Sequence, residues 1–197
     1  MLRRTPAAAL LAAAAAALCL VGAPGTATAA TAQVPAERPA DAALATTLYY
    51  DASRATQYGA AITAGARAWN DAVDNVTLAP VPAGRRAEIT IVATSGWPQA
   101  TLGPVRPGGS ARVEIGRQAV DQGYSVARIA AHELGHSLGL PDVKPGPCSS
   151  LMSGSTGGVG CTSTAPNAAE AARVERNYGG GAAGEAPAAG TVVVDRS

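Results

Sequence analysis

The chain has 197 residues, with 15 Lys and Arg against 14 Asp and Glu and a net charge of +1. Charge this evenly balanced leaves no electrostatic footprint for nucleic acid, and within 45–179 no basic run exceeds Arg85-Arg86. One apolar run approaches the length of a membrane span, and it lies next to the N-terminus.

That run, PAAALLAAAAAALCLVGAP, follows Arg3 and Arg4 and gives way to small residues. A positive start, an apolar stretch and an A-x-A site at Ala27 to Ala29 read as a secretory signal peptide over 1–29. Export is therefore expected, with no membrane attachment once the signal is cleaved. The Ala- and Pro-rich stretch 30–44 reads as a pro-segment or linker. Ordered patterning fills 45–179, enough for one domain with one core. GGGAAGEAPAAG then marks a flexible tail over 180–197, and the closing TVVVDRS is an apolar patch with nothing nearby to pair with.

Within the domain, TTLYYD alternates β-formers and predicts a strand at Thr46 to Asp51. Tyr58, Ile62, Gly65, Trp69 and Val73 recur at helical spacing, so a long amphipathic helix follows. VTLAPV, AEITIVAT and ARVEIG read as further strands, whereas SGWPQATLGPVRPGGS is too irregular for a core element. SVARIAAHELGHSLGL predicts a helix capped by Ser125 and ended by Gly139 and Pro141. APNAAEAARVERNY predicts a last amphipathic helix. The alternation of strands and helices implies an α/β domain over a twisted, mostly parallel sheet. Cys148 and Cys161, an even pair in an exported chain, are expected to form a disulfide worth roughly 3 kcal/mol.

The only two histidines, His132 and His136, stand four apart, which puts them one above the other on a helix. Imidazole suits Zn²⁺, and Glu133, roughly 100° around the helix from His132, lies where a general base meets a metal-bound water. H-E-x-x-H on a helix carries that mechanism, two ligands plus a base. A catalytic zinc takes a third protein ligand. Gly139 permits a sharp reversal and Pro141 forbids helix continuation, so Asp142 can return a carboxylate to the ion. Glu170 and Glu175 on the last helix are the rival third ligands.

HELGHSLGLPD resembles the metzincin pattern H-E-x-x-H-x-x-G-x-x-[HD], and its aspartate, with GPCSSLMSG, Cys161-Thr162 and PNAAEAARV, resembles the snapalysin family of small secreted bacterial neutral proteases. The likeness is carried by motifs in the second half of the domain and by architecture in the first. It implies a metzincin-like α/β domain, with a twisted mixed five-stranded sheet and about three helices, and a cleft along an antiparallel edge strand. We expect that strand within Arg106 to Gly116. The resemblance further implies one catalytic zinc held by His132, His136 and Asp142, Glu133 as base, Met152 as the Met-turn packing beneath the metal, and a Cys148–Cys161 disulfide around that turn. It implies an aromatic preference just after the cut.

Three positions depart from the family pattern. Lys144 stands where a tyrosine near the transition state is expected, so a transition-state contact by Lys144 is an open alternative to a solvated lysine. Ser125 and Ala127 replace an aspartate and a threonine of a calcium site, and a site needing six to eight oxygens is expected to be lost or moved. No cysteine lies between Ala30 and Pro147 to confer latency, which leaves Glu37 or Asp41 as candidates. The expected function is a secreted zinc endopeptidase, a monomer acting on proteins or peptides. The runner-up is a non-proteolytic zinc-binding module.

Overall fold

The computed structural model describes residues 45–180 and 190–196. The signal peptide and the pro-segment, with Glu37 and Asp41, lie outside the described residues. All described residues belong to one compact unit, Asp41–Ser197.

Thr46–Arg54 forms β1, whose Leu48 and Tyr50 turn into the core. The chain then makes a 3₁₀ turn at Thr56–Tyr58 before α1, Gly59–Asn70, so the first helix starts later than its apolar spacing implies. After α1 come β2 (Val76–Pro80) and β3 (Ile89–Thr94), both parallel to β1. A short strand, β4 (Gln99–Thr101), precedes β5 (Ala111–Gly116). β5 runs parallel to β3 and antiparallel to β4. Two helices follow, α2 (Arg117–Asp121) and α3 (Val126–Ser137), then a 3₁₀ stretch at Leu151–Gly157 and α4 (Ala168–Tyr178). The last strand, β6 (Val192–Val194), pairs antiparallel with β4 and completes a mixed sheet of order β2-β1-β3-β5-β4-β6.

The α/β class and the mixed sheet agree with the sequence reading, with six strands instead of five and more helical segments than three. Three local expectations change. β5, the strand within Arg106 to Gly116, is flanked on both sides and so is no edge. β4 lies inside the Gly/Pro-rich excursion, where three residues give no readable alternation, and it borrows its order from the β5 backbone. TVVVDRS does find a partner: Val192–Val194 pair with Gln99–Thr101.

One close approach positions the site. α1 crosses α3 so tightly that a Cβ on Gly65 would sit 2.7 Å from the Ala131 amide nitrogen. The fully buried Trp69 on the same face of α1 donates its indole N–H to the Ala131 carbonyl at 2.8 Å. A buried indole needs such a partner, and this one ties the core of α1 to the residue preceding His132.

Candidate metal centre

α3 begins at Ser125, whose hydroxyl accepts from the Arg128 amide at 3.4 Å. Thus one of the two positions where the family pattern has a calcium ligand serves here as a helix cap. The helix ends as a Schellman motif: the Gly139 amide donates to His136 O at 2.9 Å and the Leu140 amide to Gly135 O at 3.0 Å. Gly139 has φ +95°, which a side chain would strain, and a Cβ there would also lie 2.7 Å from Asn177 Nδ2. The reversal carries Pro141 and Asp142 back toward the helix.

Both histidines are buried and both are oriented by a carbonyl. His136 Nδ1 lies 2.7 Å from Leu140 O, and His132 Nδ1 lies 3.0 Å from Leu151 O. A carbonyl only accepts, so each Nδ1 carries the proton and each Nε2 presents a lone pair. Those lone pairs meet Asp142: its Oδ1 is 3.3 Å from His132 Nε2 and 3.5 Å from His136 Nε2. A tetrahedral ion with bonds of about 2.0–2.2 Å has ligand–ligand edges of about 3.3–3.6 Å. Among the described residues none of the three atoms has a hydrogen-bond partner, although all are buried. Buried polar atoms are normally satisfied, so the donor set fits a zinc ion in ligand type, spacing and want of partners.

Glu133 is fully buried, and both its oxygens also lack a hydrogen-bond partner. Burial pushes its carboxyl up to about 8. Burial works against the charged form of His132, while Asp142, with Glu133 and Asp195 nearby, favours it where no cation stands between them. Burial holds His136 below its ordinary value. For Asp142 burial is outweighed by the two imidazoles, which hold it well below the usual carboxylate range.

Beneath the histidines, Met152 is buried in the 3₁₀ stretch; a Cβ on Gly135 would lie 2.7 Å from its Sδ and 3.0 Å from Trp69. The glycine inside H-E-L-G-H thus lets α3 settle on the methionine and the tryptophan. The turn is held by Glu170, which accepts from Ser150 Oγ (2.7 Å), Leu151 N (3.2 Å) and Met152 N (2.9 Å), and from Asn167 N at 2.7 Å as the capping box of α4. Arg128 reaches the same turn, donating to Ser150 O at 2.6 Å and Ser153 Oγ at 3.1 Å. Cys148 and Cys161 are joined, with Cα atoms 5.5 Å apart, and bracket the turn. Of the rival ligands, Glu170 is committed to the turn and Glu175 accepts from the Asp74 and Asn75 amides, the latter at 3.1 Å.

Lys144 reaches the site from the side: its Nζ is 3.5 Å from Asp142 Oδ2 and bonds Asp195 Oδ1. Asp195, which the sequence reading leaves in the tail, is buried, and with His132 and Glu133 it forms a second group whose ligand atoms lie within 4.8 Å of one another. Asn167-x-x-Glu170 is legible in sequence as a capping box; nothing local marks Asp195.

The geometry defines a two-histidine, one-aspartate centre with a free carboxylate beside it. The Streptomyces extracellular neutral proteinase (M7) family model matches residues 45–181, and the chain belongs to that family. The extracellular small neutral protease of Streptomyces coelicolor is 38% identical over 141 residues, 72% of this chain and 63% of that protein. That of Streptomyces caespitosus is 36% identical over 135 residues, 68% of this chain and 98% of that protein. The chain spans less than two thirds of the length of the coelicolor relative and of those from S. lividans and strain C5, at 63%, 58% and 58%. Among solved structures, the archaemetzincin of Methanopyrus kandleri is similar at 14% identity and a TM-score of 0.42, covering 68% of this chain and 95% of that one.

Proposed function

We propose that this chain is a secreted zinc endopeptidase whose domain lies within 45–179 and acts as a monomer on proteins and peptides. The observation that carries the reading is the convergence of His132 Nε2, His136 Nε2 and Asp142 Oδ1, buried and unpartnered, with Asp142 Oδ1 at a tetrahedral edge length from each Nε2. Export rests on the signal-like residues 1–29 and on relatives named extracellular proteases. No described helix is long and apolar enough to cross a membrane.

His132, His136 and Asp142 would hold one zinc, which would supply Lewis acidity toward a water and a peptide carbonyl. Glu133 takes the water's proton and returns it to the leaving amine. Burial raises the affinity of its carboxylate for that proton. The Nδ1–H bonds to Leu151 and Leu140 keep both imidazoles in the ligating tautomer. Lys144 offers positive charge to the developing oxyanion; its approach to Asp142 supports that role. Met152 keeps the floor of the site packed, and the disulfide restrains the turn that bears it.

An extended substrate pairs with β4 by strand addition in place of β6, which occupies that side of β4 in this structure. An aromatic residue after the cut is expected beside His132, in the space between Tyr124, Ile129, Arg128 and Ser155 that Asp195 narrows to about 20 Å³ in this structure. The test is hydrolysis of casein by the mature protein before and after chelation. Activity should vanish with the metal and return on adding zinc; hydrolysis indifferent to the chelator would refute the reading. A peptide-library profile checks the aromatic preference.

A further inference from the structure

The strand that pairs with β4 here belongs to the chain itself. Leu102 N donates to Thr191 O at 2.6 Å, Gly190 N to Leu102 O at 2.9 Å and Asp195 N to Pro98 O at 2.9 Å, so 190–195 run antiparallel along the whole of β4. The segment then turns its Asp195 carboxylate into the centre. Asp195 Oδ1 accepts from the Ser155 amide at 3.3 Å and from Lys144 Nζ, and Ser155 Oγ donates to Arg196 O at 2.8 Å.

We propose that Thr191–Arg196 is an intramolecular ligand of the cleft, lying where an extended peptide would pair and presenting Asp195 to His132 and Glu133, so that it must leave before another peptide can enter. This rests on the endopeptidase reading of the site.

Three observations separate such a ligand from an ordinary structural strand. Its valines contribute little core: Val192 is 56% exposed and the next two are half-buried. Its aspartate, by contrast, is 5% exposed and stands within ligand distance of another buried carboxylate, Glu133. Burying two acids together is costly unless a cation compensates; Lys144 does so for Asp195, and the centre's metal would do so further. Finally, the cavity beside His132, with Asp195 as one wall, retains about 20 Å³, room for little more than one water. Tethering gives the segment an effective concentration near millimolar, so weak contacts suffice to keep it in place.

The test compares the full chain with a chain lacking 191–197, and with a full chain carrying a specific cleavage site inside 181–189 that is cut after folding and washed. The cut form covers the case in which the shorter chain does not fold. The Leu102 amide should exchange slowly in the full chain and quickly in the released forms. A labelled TVVVDR peptide at about millimolar concentration should restore its protection, and the same peptide with Asp195→Ala should bind roughly tenfold more weakly. Released forms should cleave a reporter peptide roughly tenfold faster or more, because apparent affinity scales with the open fraction. Equal cleavage rates before and after release, or a TVVVDR peptide that binds while leaving Leu102 unprotected, would overturn the proposal. If the peptide restores protection but no form hydrolyses any substrate with zinc present, the segment's seat stands and the endopeptidase reading fails.

Discussion

His136 Nδ1 lies 2.7 Å from the carbonyl of Leu140, four residues further along the chain. One backbone reversal therefore does two things. It fixes the tautomer of a histidine by offering a carbonyl, and it delivers Asp142 to the face of the helix where that histidine's Nε2 points. The Schellman bonds at Gly139 and Leu140 make the reversal specific.

Asp142→Ala should lower zinc affinity by more than the 10–100-fold that loss of a supporting hydrogen bond costs, measured by competition with a chromogenic chelator. Glu170→Gln should leave affinity within that smaller range while loosening the Met152 turn, since its carboxylate holds backbone amides. The reverse order would make Glu170 the ligand.

Gly65→Ala should destabilise the fold by about 1–3 kcal/mol, read from urea unfolding. Its Cβ would meet the Ala131 backbone at 2.7 Å, and a backbone cannot swing aside as a side-chain tip can. Because Ala131 precedes His132, zinc affinity should fall as well. A stability equal to the parent's would contradict the close crossing of the two helices.

Glu88 accepts from the Tyr49 amide at 2.9 Å and the Gly108 amide at 3.2 Å. Burial opposes its charge, but these amides hold it below the ordinary value of 4.5. A depressed carboxylate stabilises the fold above its unfolded pKa and loses that contribution as pH falls through the folded one. Glu88→Gln should therefore cost about 1.5–3 kcal/mol at neutral pH, with the gap to the parent closing below pH 4.5. A gap independent of pH would contradict the assignment.

The metal centre is legible in the sequence because it is local. His132, Glu133 and His136 sit on one helix, and Asp142 follows through a glycine turn whose geometry residue types dictate. Helix α1 and strands β1, β3 and β5 are legible because each is long enough to show a period. β4 is not, at three residues, nor is the pairing of Val192–Val194 with it, which depends on which strand the sheet leaves at its border. The same dependence hides Asp195. The second role of Glu170 is half visible: Asn167-x-x-Glu170 announces the cap, but that the same carboxylate also holds Leu151 and Met152 is a tertiary fact.

The central claim is that Glu133 acts as base beside a zinc held by three other residues. Glu133→Gln, assayed after release of 191–197, tests it with two readings on one sample, zinc content and turnover of a peptide substrate. The account predicts stoichiometric zinc and a loss of turnover on the order of 10²–10⁴-fold or more. Full turnover with zinc retained, or loss of the zinc itself, would contradict it.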